Sequence, residues 1–166
     1  MKYSIVYSSR TGNTRMLAEA VRAALPEADC VYYGEPDSAA LDAERIYCGF
    51  WTDRGSCDAA SAEFLKTLDR QELFLFGTAG FGGSEEYFDR VLSAAGKNVP
   101  EGVRPAGSFM CQGRMPDSVR QRYEKMSEGP NPPANVGELI ANFDRALQHP
   151  NEKDIENLRT ALKKAD

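Results

Sequence analysis

Five apolar runs of strand length alternate, through residue 111, with segments whose apolar residues recur at helical spacing. Predicted strands cover 2–7, 30–33, 46–51, 73–78 and 107–111. Predicted helices cover 14–25, 58–68 and 85–95. The first helix carries Met16, Leu17, Ala20, Val21, Ala24 and Leu25 on one stripe, and Pro26 ends it. The second turns Ala60, Phe64, Leu65 and Leu68 inward, and the third Tyr87, Phe88, Val91, Leu92 and Ala95. Consecutive strands joined through helices must run parallel, and such a sheet needs helices on both faces. The unbroken run Leu73-Phe74-Leu75-Phe76 suits a strand buried on both sides. The expectation is an α/β fold of three layers. Ligands of such sheets bind beyond the carboxyl ends of the strands. The loops there are 8–14, 50–57 and 78–84.

The first of these loops has the most distinctive chemistry. Ser8-Ser9-Arg10-Thr11-Gly12-Asn13-Thr14 leaves a strand and enters a helix. Ser9, Thr11 and Thr14 offer hydroxyls, Gly12 permits a turn closed to other residues, and Asn13 is placed to cap the helix. Unsatisfied N–H groups at a helix start attract anions, so the loop is suited to a phosphate. A P-loop NTPase would need Lys after the glycine, a thiolate phosphatase a Cys, and a receiver domain a carboxylate cluster. None of these is present, which leaves a phosphate that is held rather than attacked: the terminal monophosphate of a bound cofactor.

The other two loops supply flat surfaces. Trp51, the only tryptophan, ends a strand before Thr52-Asp53-Arg54-Gly55-Ser56 and offers a ring to a flat heterocycle. Thr78-Ala79-Gly80-Phe81-Gly82-Gly83-Ser84 combines close-approach glycines with an aromatic ring. The chain's single histidine, His149, and the absence of any CxxC pair argue against a zinc site. Cys30, Cys48 and Cys111 read as core residues, and Cys57, in a loop, as the exposed thiol. With 166 residues and a net charge of −5, the chain reads as one acidic domain without affinity for nucleic acid. No apolar stretch is long enough to span a membrane and no leader pattern opens the sequence, so a cytoplasmic location is expected.

With these residues in view, the chain resembles the flavodoxins. Ser9-Arg10-Thr11-Gly12-Asn13-Thr14 matches that family's S/T-x-T-G-x-T phosphate loop, and Trp51, Gly80-Phe81-Gly82 and Tyr87-Phe88 support the match over residues 1–111. The resemblance implies a flavodoxin-like three-layer sandwich with a five-stranded parallel sheet in the order 2-1-3-4-5. It also implies FMN as cofactor and electron transfer between redox partner proteins, a donor reductase and an acceptor reductase. In this reading Ser9, Arg10, Thr11, Gly12, Asn13 and Thr14 hold the phosphate. Trp51 and Phe81 flank the flavin ring, with Tyr87 as the alternative to Phe81. Phe50, Thr52, Asp53, Thr78, Ala79 and Gly80 meet the ring's polar edge. Asp53, Glu85 and Glu86 are expected to guide a basic partner. Two departures stand out. Thr52 replaces the glycine that often follows the tryptophan, and Gly82 and Gly83 stand in place of an acid. Fewer carboxylates imply a reduced flavin that is easier to reach. The alternatives are a flavin-dependent NAD(P)H or quinone reductase, and an accessory subunit that docks a partner reductase.

Beyond residue 111 the pattern loosens. A helix is predicted over 117–127, a semi-rigid connector over 129–133, and a helix over 136–148 whose apolar stripe suits covering the sheet. A charged helix over 151–164 has an acidic start and a basic end, as the helix dipole favours. The organisation expected is one domain over 1–148 and a C-terminal helical tail, 149–166, packing on it or extending it. The segment 112–166 is expected to cover the site, form a dimer face or dock a partner.

Overall fold

The computed structural model describes residues 1–82 and 84–166; Gly83, assigned above to the third loop, lies outside the described residues. The strands are β1 (Tyr3–Tyr7), β2 (Cys30–Gly34), β3 (Arg45–Asp53), β4 (Ser56–Cys57), β5 (Glu72–Ala79) and β6 (Arg104–Gln112). The helices are α1 (Asn13–Ala24), α2 (Ala59–Leu65), α3 (Glu85–Gly96), α4 (Asp117–Glu128), α5 (Val136–Ala146) and α6 (Glu152–Lys164). Five strands run parallel in the order β2-β1-β3-β5-β6. That is the expected order once the short β4, absent from the sequence-based reading, is set aside. The chain crosses from β1 to β2 on one side and builds β3, β5 and β6 on the other, so the order of strand addition, not strand direction, reverses between β1 and β3.

Alternation along each strand divides the core into two layers. On one face Tyr3, Ile5, Tyr47, Phe74, Phe76 and Cys111 pack against Leu17, Ala18 and Val21 of α1 and Leu158 and Leu162 of α6. On the other Val6, Ile46, Cys48, Phe50, Leu73 and Leu75 meet Phe64 and Leu65 of α2 and Val91 and Ala95 of α3. Period-2 side-chain direction turns each apolar run into two opposed faces, which is why β5 is buried from Leu73 to Ala79. Helix starts follow local chemistry. Ser84 caps α3 by accepting from the Tyr87 N–H (3.2 Å), and Asn151 and Asp154 cap α6 reciprocally.

Several expectations are corrected. The stretch 52–56 is a hairpin rather than a loop: β3 runs to Asp53 and pairs antiparallel with β4, Thr52 opposite Cys57 and Asp53 opposite Ser56. Arg54 (φ 51°) and Gly55 (φ 80°) make the two-residue turn, so positive φ is needed two residues beyond Thr52, which stays extended. That pairing buries Cys57, and burial pushes its thiol pKa up; Cys30 is the one partly exposed cysteine. Met16 is exposed, and so are Ala24 and Ala60. The stripe of α5 packs chiefly on α4 rather than on the sheet, and the sheet is covered instead by α6. Among the described residues no helix is long and apolar enough to cross a membrane.

Candidate cofactor site

The carboxyl ends of β1, β3, β5 and β6 bring four connections to one end of the sheet. The first leaves β1 through Ser8, whose N–H donates to the Gly49 carbonyl (2.9 Å). Gly12 has φ +92°, a conformation that costs other residues strain, and a Cβ added there would meet nothing within 4 Å. The turn is therefore open above the glycine. The N–H groups of Gly12 (3.1 Å) and Arg15 (3.3 Å) both donate to the Ser9 hydroxyl oxygen. Two amides at the positive end of α1 thus converge on one oxygen, an arrangement that also suits an anion. Among the described residues the backbone N–H groups of Asn13 and Thr14 have no partner.

Two side chains of this loop do something other than expected. Asn13 does not cap α1; Gly12 holds the cap position, and the Asn13 amide donates to the Arg114 carbonyl (2.8 Å). Thr14 is buried. Its hydroxyl donates to the Phe50 carbonyl (3.0 Å) and bonds the Thr78 hydroxyl (3.0 Å), so it braces β3 and β5 beneath the loop. Asn13 and Thr14 are struts in this structure, which leaves the backbone and the exposed Thr11 to face a ligand.

Trp51 is held through its backbone by Asp58, which is 2% exposed. One carboxylate oxygen accepts from the Trp51 N–H (3.3 Å) and the Ser61 hydroxyl (2.8 Å). The other accepts from the Ser61 N–H (3.2 Å), which caps α2. Thr52 donates to the Thr78 carbonyl (2.8 Å) and joins the second loop to the third. The third loop is fixed in turn by amides. Gln112 (2.9 Å) and Asn142 (3.1 Å) both donate to the Gly80 carbonyl, and Gln112 also donates to the Asn142 side-chain oxygen (3.0 Å).

These loops enclose a cavity of about 290 Å3, lined by Arg10, Thr11, Asn13, Trp51, Thr52, Thr78 and Gly80, with a further wall from Gly113 to Arg122. The volume is near the lower end for small-molecule sites, about 300 Å3. Arg10 lies over the Trp51 ring, its guanidinium 5.5 Å from the ring centre. Of the other residues anticipated from sequence, Ser9 and Gly12 shape the turn without lining the cavity. Phe50 and Ala79 are buried in the core, Asp53 projects at the hairpin, and Phe81 is exposed and off the cavity wall. Tyr87 packs against the α3 side of the core. A larger groove, about 540 Å3, lies against α3 and β6, but Glu101 is the one charged residue on its wall. It lacks the converging polar groups of the smaller cavity.

The fourth wall comes from the segment 112–166, one of whose expected roles was to cover the site, but none of its residues was singled out from the sequence. Gly113, Arg114, Met115 and Pro116 follow β6 directly, and Ser118, Val119 and Arg122 come from α4. Their signal was position: residues just after a parallel strand lie at the ligand end of the sheet. Asp58 was legible as an Asp three residues before Ser61, a helix-start pattern. Gln112 and Asn142 carried no local signal.

Comparison with known proteins agrees with this architecture. A flavodoxin-domain family pattern matches residues 4–163. The flavodoxin-like domain-containing protein BilS of Clostridium symbiosum is 42% identical over 172 aligned residues, covering 93% of this chain and 90% of that protein. A solved short-chain flavodoxin associated with a non-canonical PDU bacterial microcompartment shares the fold at a TM-score of 0.59, with 17% identity over 100% of this chain and 99% of its own. A flavoprotein from Lactobacillus acidophilus NCFM, solved in complex with FMN, gives 0.51 with 16% identity over 74% and 98%. The strand order, the turn after β1 and a match over nearly the whole sequence lead to one conclusion: this chain belongs to the flavodoxin family.

Proposed function

We propose that this protein binds FMN without a covalent link and carries electrons between partner proteins, receiving them from one reductase and delivering them to another. One observation carries the reading. Thr11 and Asn13, on either side of the open Gly12 turn at the start of α1, line one cavity with Trp51 and Gly80. A ligand with a phosphate at one end and a flat ring at the other matches that combination. The solved relative that holds FMN supports it.

The residues present fit such a group. The backbone N–H groups of Asn13 and Thr14, with the Thr11 hydroxyl and the Ser9 turn that holds the Gly12 and Arg15 N–H groups in place, would hold the phosphate. Trp51 would cover one ring face once Arg10 swings off it, and the backbone at 51–52 and 78–80 would meet the ring edge. FMN when bound supplies one- and two-electron redox chemistry. The chain's own contribution is orientation. Asp58 fixes the Trp51 backbone, Gln112 and Asn142 fix the Gly80 carbonyl, and the buried Thr14–Thr78 pair keeps the first and third loops in register. Buried polar groups satisfied in this way hold a site rigid.

The test is the visible spectrum of the purified protein with and without added FMN, followed by titration with FMN and riboflavin. Uptake of FMN with a shifted flavin spectrum is expected. Protein that remains colourless in excess FMN would overturn the reading. Rapid bleaching of the loaded protein by NADH or NADPH alone would identify a reductase instead of a carrier.

A further inference from the structure

The cavity mouth has a charge opposite to that of the whole protein. Arg10, Arg114 and Arg122 line it, among the described residues no carboxylate does, and all three arginines are exposed. Among the described residues none of the three pairs with a carboxylate. Helix α4 shows the contrast within two residues: Arg120 is held by Glu124 and Asp144, while Arg122 lines the cavity. The acidic residues expected to face a partner lie elsewhere or are partly answered. Asp53 sits 3.9 Å from Arg54 at the hairpin turn, and Glu85 and Glu86 begin α3 off the cavity wall.

The basic wall is also preorganised. The Gly113 N–H donates to the Ala79 carbonyl (2.9 Å) and the Arg114 N–H to the His149 carbonyl (3.0 Å). Asn13 donates to the Arg114 carbonyl (2.8 Å), and the Arg114 guanidinium to the Leu147 carbonyl (3.2 Å). A Cβ on Gly113 would come within 2.4 Å of the Asn13 amide nitrogen, so this turn sits tight on the phosphate loop. Arg114 is held in place by these contacts, and unpaired guanidinium groups gathered at a cavity mouth set up a field that attracts anions.

We propose that this mouth is the docking surface for an acidic face of a redox partner protein, steered by Arg114 and Arg122. The proposal rests on the flavin reading and names the partner's charge. A cofactor phosphate is already answered by the α1 amides and dipole. The arginines, exposed around the opening, are left to meet carboxylates on an approaching surface. On a chain of net charge −5, such placement directs association to one site.

Two measurements test it. In the flavin-free protein, emission from Trp51, the only tryptophan, is quenched by iodide and by caesium. At low salt the ratio of the iodide to the caesium constant exceeds that of free N-acetyltryptophanamide. Arg122→Gln, whose side chain makes no hydrogen bond among the described residues, lowers the iodide constant about twofold, the Coulomb effect of one nearby charge in water. Arg122→Glu lowers it further, and 1 M salt, with a screening length of about 3 Å, removes the difference. A ratio at or below that of the free reference, or constants unmoved by either variant, would overturn the proposal. In the FMN-loaded protein reduced by dithionite, electrons pass to an acidic cytochrome b5 and a basic cytochrome c. Each haem iron takes one electron, Fe(III) becoming Fe(II), and the flavin is oxidised in return. The rate to the acidic acceptor falls as salt rises, and Arg114→Gln with Arg122→Gln weakens that dependence. A rate that rises with salt for the acidic acceptor and falls for the basic one would overturn the proposal, as would iodide preference without any salt effect on the acidic acceptor. Failure to take up FMN would sink the flavin reading but leave the iodide result standing.

Discussion

Replacing Asp58 by Ala should unseat Trp51 as well as loosen the fold. Asp58 accepts three hydrogen bonds, from the Trp51 N–H, the Ser61 N–H and the Ser61 hydroxyl. Loss of the α2 cap costs about 1 kcal/mol. Ser61 is 0% exposed, so its stranded hydroxyl adds about 1–3 kcal/mol, with a smaller share from the half-buried Trp51 amide. Relief of a buried carboxylate's desolvation offsets part of this. The net expectation is about 3 kcal/mol, or a melting temperature lower by about 6–12 °C for a chain of this size. Asp58→Asn keeps one carbonyl acceptor and should lose about half as much. Urea unfolding followed in parallel by far-UV circular dichroism and by Trp51 emission measures both effects. FMN affinity should fall with the altered emission, because the Trp51 N–H loses its acceptor and the backbone there is left to the N–H at position 58 (3.0 Å) and the pairing of β3 with β5. A loss below about 1 kcal/mol with unchanged native emission would refute the claim that this carboxylate positions the tryptophan.

Other outcomes follow from the same geometry. Thr14→Val should cost about 2 kcal/mol of stability by stranding the Thr78 hydroxyl and the Phe50 carbonyl, whereas Thr11→Ala should leave unfolding unchanged within about 0.5 kcal/mol and weaken FMN about tenfold by titration. Burial pushes the hydroxyls of Tyr33 and Tyr3 up to about 12 from an ordinary 10.0. In the folded state they keep protons that the unfolded chain releases, so their contribution is complete below pH 10 and is lost as pH rises through 12. Urea midpoints at pH 9 and 11.5 should show this fall, and Tyr33→Phe should lessen it. A thiol reagent should label Cys30 in the native protein and reach Cys48, Cys57 and Cys111 only on unfolding, read by mass spectrometry.

What could be read without coordinates was whatever depends on neighbours along the chain. Alternation of apolar residues specified the strands and, through their spacing with helices, a parallel sheet; Gly12 between Thr11 and Asn13 marked a turn that needs positive φ. What escaped were pairings between distant segments. The hairpin that buries Cys57 depends on Thr52 facing it across a two-residue turn, and a composition typical of loops hid that pairing. Thr14 looks like a phosphate donor until Phe50 and Thr78, 36 and 64 residues away, claim its hydroxyl. Asn13 looks like a cap until Arg114, 101 residues on, claims its amide. The basic wall of the cavity is built the same way, from residues that mean little until the end of β6 carries them to the loop after β1. Periodicity and turn chemistry are local and survive in a one-dimensional string. The partner of a buried polar group does not, because desolvation makes each such group bond whatever folding places beside it.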